Sequence, residues 1–298
     1  MLSIHTNLAS LSTQNALGST QKDLTTSMTR LGTGFRVNSA MDDAAGLQIA
    51  TRLNAQTRGM QVAQRNTQNG ISMLQTAEGA LSEVSNILLR MKDLATEGAN
   101  GTSTAADKTA MQSEYDALGK ELTNIMKNTA FGGQSLFGVG TNAAAVTGGT
   151  STLGKTGGIN FQIGSSATEV MNVDVSATVA ALTSDAGDLG AVSTAYKTVS
   201  VAGTEVGATA TITALNTALD SVGAVRSALG ASANRLDHVF NNLGNMVQNV
   251  SAAKGRIMDV DYATESSNMT AKQMLMQAST AMLKQSSSMS QMVASLLQ

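Results

Sequence analysis

The residues able to do chemistry are few, and their spacing points away from catalysis. His5 stands near the first residue, and His238 lies within a helical stripe beside Val239 and Phe240; two isolated histidines read as incidental or structural rather than catalytic. Asp42-Asp43 and the Asp259/Asp261 pair are the tight carboxylate groupings. Neither is followed by the glycine and terminal glutamate of a calcium loop. Both immediately precede helical patterns, which predicts N-capping and a favourable interaction with the helix dipole. The chain carries no glycine-rich phosphate loop, no nucleophile elbow and no HExxH stretch. Gly148-Gly149 and Gly157-Gly158 read as loop. With no cysteine, neither a disulfide nor a thiolate metal site can form. The expectation is no catalytic residue, no cofactor and no metal.

What remains is architecture. Of 298 residues only 13% are charged and 3% aromatic, against about 25% charged in ordinary globular proteins. Proline and tryptophan are absent, so nothing forbids long uninterrupted helices. So few aromatics fill a thick core poorly, and thin seams between helices are the easier solution. A net charge of −2 gives no footprint for nucleic acid or an anionic membrane. No stretch reaches the 18 apolar residues of a membrane span, and the start lacks the pattern of a secretory signal.

Apolar spacing predicts the helices. Thr67, Ile71, Leu74, Ala77, Leu81, Val84, Leu88, Met91 and Ala95 alternate steps of three and four, close to a coiled-coil seam. This helix is expected from near Leu47 to the stop at Glu97-Gly98, a rod of roughly 75 Å. A shorter one carries Met111, Tyr115, Leu118, Leu122 and Ile125 and ends before Phe131-Gly132-Gly133. The second half mirrors the first, with a stripe from Ile212 to Val250. A last segment places Ala271, Leu275, Ala278, Met282, Met289, Met292 and Leu296 on one face. At the start, Ile4, Leu8 and Leu11 form one phase and Leu24, Met28, Leu31 and Phe35 another, with a slip near Asn15.

Residues 138–210 differ, being rich in Gly, Thr, Ser, Ala and Val. Ile159, Phe161 and Ile163 alternate, as do Met171, Val173 and Val175, across the turn-like Gly164-Ser165-Ser166. The pattern predicts a β-hairpin. The fold class is therefore mainly α: long coiled-coil-like helices forming a terminal inner domain and a rod domain, with a small hairpin-containing tip. Expected boundaries are 1–40 with 258–298 for the inner domain, and 41–182 with 210–257 for the rod, its hairpin near 159–175. Residues 139–158 and 183–209 read as variable surface loops.

Three stretches resemble the bacterial flagellins. Arg30-Leu31-Gly32-Thr33-Gly34-Phe35-Arg36-Val37-Asn38-Ser39-Ala40-Met41-Asp42-Asp43-Ala44-Ala45-Gly46-Leu47 is similar to that family's N-terminal signature, departing at Gly32, Phe35 and Met41. Leu229-Gly230-Ala231, Asn234-Arg235-Leu236 and Arg256-Ile257-Met258-Asp259-Val260-Asp261 resemble its C-terminal signature, and the tail to Gln298 resembles its terminus. Hook–filament junction proteins share the terminal signatures; the tail favours a flagellin. A tip with zinc protease activity is disfavoured because residues 138–210 contain no histidine.

The resemblance implies a secreted structural subunit, not an enzyme, that polymerises into the flagellar filament for swimming motility. It implies export through the flagellar type III apparatus, a chaperone at the C-terminal helix, and meetings with the filament cap and the hook–filament junction proteins. Arg90, Leu94 and Glu114 correspond to positions through which similar flagellins engage the animal Toll-like receptor, and residues 29–50 resemble a peptide sensed by a plant receptor kinase. The assembly seam is expected to use Leu8, Leu11, Leu24, Met28, Leu31, Leu275, Met282, Met289, Met292 and Leu296. Residues 266–298 carry only Lys272 and Lys284 as charges, which suits dense packing of repeated copies. A lone helix with one thin seam does not offset its ordering entropy, so these ends need neighbours.

Overall fold

Asn7 opens the first helix. Its side-chain oxygen accepts a hydrogen bond from the Ser10 amide at 3.0 Å, taking up a donor that a helix start leaves free. Helix α1 (Leu8–Thr33) runs unbroken through Asn15, because nothing there interrupts the backbone ladder. It stops at Gly34, whose φ of 76° lies in the left-handed region glycine adopts freely. The computed structural model describes residues 7–137, 152–183 and 209–296.

Asp43 accepts the Gly46 amide at 2.8 Å and starts α2 (Ala44–Gly98), a helix of 55 residues. A reciprocal capping box between Thr104 and Asp107 starts α3 (Ala105–Asn128). Two strands follow, β1 (Ala130–Phe131) and β2 (Gln134–Ser135), paired antiparallel. Their two-residue turn needs positive φ at both positions, and Gly132 and Gly133 supply 58° and 83°. The second hairpin pairs β3 (Ile159–Gln162) with β4 (Val170–Val173), setting Ile159 against Val173 and Phe161 against Met171. Its turn is longer than the three residues expected, since the Ile163 amide bonds the Glu169 carbonyl at 3.0 Å.

Helix α4 (Ser176–Thr183) lies between the expected hairpin and the second expected loop, where the sequence reading assigned no element. Asp174 accepts both the Ser176 amide and its hydroxyl, which favours a helical start despite Thr178 and Val179. Helices α5 (Thr209–Met258) and α6 (Tyr262–Leu296) complete the chain. Most of the expected surface loops lies outside the described residues. At the edge of the first, the Leu153 amide bonds the Leu136 carbonyl at 3.0 Å and Leu153 is fully buried.

The residues form two compact units, one of Met1–Thr57 with Gln248–Gln298, the other Arg58–Val247. The expected divisions at 40/41 and 257/258 fall near interhelix loops, whereas the units part inside α2 and α5. The second unit holds the main core: Leu74, Leu81, Leu88 and Met91 of α2, Tyr115, Leu122 and Met126 of α3, and Leu215, Val222 and Leu229 of α5. Met171, Val173 and Val175 point into it from the hairpin and the residues after it, as their alternation requires.

Candidate functional site: the paired terminal helices

Helices α1 and α6 pack on each other antiparallel. Among the described side chains of α6, only Glu265, Met269, Lys272, Met276, Ser279, Leu283 and Ser286 lose much of their surface to the pairing. Their steps of four and three trace a heptad seam. On α1 the matching positions are Ser10, Thr13, Leu17, Thr20, Leu24, Ser27 and Leu31. Polar residues set the register. Asn7 donates to the Ser286 hydroxyl and carbonyl at 3.1 and 3.2 Å, Lys272 Nζ lies 3.5 Å from Ser27 Oγ, and Arg30 lies 3.8 Å from Glu265.

This seam mixes polar residues with six Leu and Met side chains and leaves other large apolar residues outside. Leu8, Leu11, Met28, Leu275 and Met282 remain 67%, 51%, 49%, 57% and 62% exposed. Of the expected assembly residues, Leu24 is buried and Leu31 half-buried within the helix pair. Met289, Met292 and Leu296 fall on the last turns of α6, and their side chains lie outside the described residues.

The loops at the base of this pair are fixed by the expected aspartates and by backbone pairing. Asp261 caps α6: Oδ2 accepts the Thr264 hydroxyl at 2.7 Å and Oδ1 the Ala263 amide at 3.0 Å. The Thr264 hydroxyl, then the two amides, hold its carboxyl below the usual range. Asp42 does not cap a helix. It gathers the amides of Ser39 and Asn38, which lower its pKa likewise. Asp259 forms a backbone bridge with Phe35 rather than a cap, and the Arg36 guanidinium reaches the Ile257 carbonyl at 3.0 Å.

In the other unit, Arg90 and Glu114 meet. Arg90 Nε and a terminal nitrogen approach one carboxylate oxygen at 2.8 and 2.7 Å, and that hydrogen bond raises the arginine's pKa. Leu94 does not join them at the surface; it is 2% exposed and belongs to the core. His238 is exposed on α5. Among the described residues no cluster of His, Asp and Glu is arranged to hold a metal, and no helix is long and apolar enough to cross a membrane.

Residues 4–142 match the bacterial flagellin N-terminal helical region, and residues 212–297 match the bacterial flagellin C-terminal helical region. The chain belongs to the bacterial flagellin family. Flagellin D of Vibrio anguillarum is 36% identical, with 99% of each chain covered. The B-type flagellin of Pseudomonas aeruginosa is 46% identical over 58% of this chain and 33% of its own length. The crystal structure of Bacillus cereus flagellin is 32% identical, covers 64% of this chain and 94% of that one, and has a TM-score of 0.43.

This flagellin is a structural subunit of the flagellar filament, self-assembling outside the cell and serving motility, and it is not an enzyme. Reading the sequence by its large apolar residues picks out Leu24 and Leu31 but misses the α6 residues that pair with α1. The signal was present as the spacing of Glu265, Met269, Lys272, Met276, Ser279, Leu283 and Ser286, hidden because four of the seven are polar.

Proposed function

We propose that the outward stripes of α1 and α6 are the surfaces through which neighbouring flagellins meet in the filament. The observation that carries this reading is the exposure of Leu8, Leu11, Met28, Leu275 and Met282 on two helices already paired along another face. Each such side chain contributes about 1.5–3 kcal/mol when a neighbour covers it fully. A contact that joins different faces of successive copies does not close, so it extends into a filament. Residues 1–40 with 258–298 act as the inner domain of that assembly, and 41–182 with 210–257 as the surrounding rod.

The test is Leu275→Asp. A carboxylate on the stripe stays hydrated in the free subunit but loses water when a neighbour arrives. Helical circular dichroism should persist while the protein stops sedimenting as filaments. Normal polymerisation at the same concentration would remove α6 from the assembly surface.

The same stripes, unpaired before assembly, suit a chaperone covering the C-terminal helix. The thin, polar α1–α6 seam suits export unfolded through the type III apparatus before growth beneath the cap and above the junction proteins. A second reading concerns host recognition. Arg90 and Glu114 form an ordered, exposed pair that a Toll-like receptor could engage, with Leu94 supporting the helix from beneath. Residues 29–50 supply the segment read by a plant receptor kinase. Arg90→Ala should weaken receptor signalling more than assembly; equal loss of both leaves only a packing role.

A further inference from the structure

We propose that Met28, Met274 and Met282 are an oxidation site of the unassembled subunit, and that their conversion to sulfoxides by a peroxide blocks its addition to the filament. The proposal rests on the reading of the outward stripes as the assembly surface.

The chain has 17 methionines, no cysteine and no tryptophan, which leaves the thioether as its most readily oxidised side chain. The methionines divide between the two units. In the Arg58–Val247 unit, Met60, Met73, Met91, Met126 and Met171 are buried, with Met111 half-buried and Met246 exposed. In the terminal unit no described methionine is buried: Met28, Met41, Met274 and Met282 are exposed, and Met258, Met269 and Met276 are half-buried. Three of the exposed ones stand on α1 and α6, beside or within the stripes of Leu8, Leu11 and Leu275.

The chemistry closes without help from the protein. A sulfur lone pair attacks one oxygen of hydrogen peroxide, the S–O bond forms and the O–O bond breaks. Sulfur loses two electrons, and the departing hydroxide takes the remaining proton as water. The product replaces an apolar thioether with a strongly polar sulfoxide. On a free subunit that oxygen is hydrated and the helix is little disturbed. Under a neighbouring subunit it is an acceptor for which the apolar stripe offers no donor. Assembly should also shield the sulfur, so order of exposure matters.

The experiment treats the full chain with hydrogen peroxide before or after polymerisation, maps sulfoxides by peptide mass spectrometry and measures sedimentation. In the free subunit Met28, Met274 and Met282 should oxidise ahead of Met91 and Met126. The critical concentration should rise by roughly tenfold or more, equivalent to about 1.4 kcal/mol per subunit. Preformed filaments given the same dose should keep Met28, Met274 and Met282 reduced and stay assembled. The M28L/M274L/M282L chain removes the sulfur and keeps apolar volume. Comparing sedimented protein before and after peroxide within each chain cancels any change in its basal assembly, and the triple variant should lose the peroxide response. Oxidised subunits that polymerise like untreated ones overturn the inference, as does a triple variant that stays peroxide-sensitive. If Leu275→Asp abolishes assembly and oxidation does not, only this inference falls; if Leu275→Asp assembles, the reading beneath it falls.

Discussion

Arg30 on α1 and Glu265 on α6 approach to 3.8 Å, and Glu265 is the one charged side chain buried among the described residues. The pair ties the two terminal helices together near their base. Glu265→Ala removes the partner and leaves a partly buried guanidinium, whose Nε already lacks a hydrogen bond. The cost should be about 1–3 kcal/mol to the helix pairing. Amide exchange should quicken along α1 and α6 and stay unchanged around Leu81 and Leu88. Unchanged exchange in α1 would show that the pair adds nothing to the seam.

Acid should loosen the helix caps at Asp261 and Asp107 and the loop that Asp42 holds. Asp261, Asp107 and Asp42 all have folded-state pKa values lowered from 3.8. A lowered pKa means their contribution is present above the unfolded value and lost as pH falls through the folded one. Amide protection at Ala263 and Thr264 should therefore hold at pH 5 and fall progressively below about pH 4. Asp261→Asn keeps a capping oxygen without a titrating proton. Its protection should not respond to pH through the cap, and a response equal to that of the parent would assign the effect elsewhere.

How much of this was legible depends on which residue types carried each contact. The long helices followed from stripes of large apolar residues, and α2 stops at Gly98 as its Gly/Asn signal predicts. The β3–β4 alternation was equally plain, because one face meets a core. The first hairpin was hidden because Gly132-Gly133 also reads as a helix stop, and only its φ angles separate the two. Helix α4 was hidden by its β-branched residues. Within the candidate site, the outward stripes stand out as Leu and Met, whereas more than half of the seam they flank is Ser, Thr, Lys and Glu, which carry no hydrophobic signal and interrupt the Leu and Met between them.

Two glycines of α2 let the second hairpin lie against it. A Cβ on Gly59 would stand 2.7 Å from Ser165 Cβ and 3.1 Å from its Cα, and one on Gly70 would stand 2.8 Å from the Phe161 ring. The Ser165 contact involves backbone, which cannot swing away. Gly59→Ala should therefore destabilise the unit by about 1–3 kcal/mol, as overpacking does. Gly79 has nothing within 4 Å of such a Cβ, so Gly79→Ala should stabilise by about 0.5–1 kcal/mol. Thermal melts of the two variants should move in opposite directions; movement in the same direction would mean the hairpin does not rest on α2 in solution.

Tyr115 tests the core itself. Its side chain is buried in the core that Leu122 and Met126 also enter, and its hydroxyl has no hydrogen-bond partner among the described residues. Burial, with a smaller contribution from Asp116, pushes the phenol from 10.0 up to about 12. For a raised folded-state pKa, the contribution is complete below the unfolded value and is lost as pH rises towards the folded one. Between pH 10 and 12 the core should lose on the order of 2 kcal/mol, because the unfolded chain can ionise and the folded one resists. Tyr115→Phe removes both the ionisation and the orphaned hydroxyl. At neutral pH it should be neutral or slightly stabilising, since a buried polar atom without a partner is lost. Urea melts at pH 7 and pH 11 separate the two effects: the parent should weaken at pH 11 by more than the variant does. Equal weakening in both chains would mean that the Tyr115 hydroxyl reaches solvent or a partner, and that the seam between α2, α3 and α5 is looser than its burial indicates.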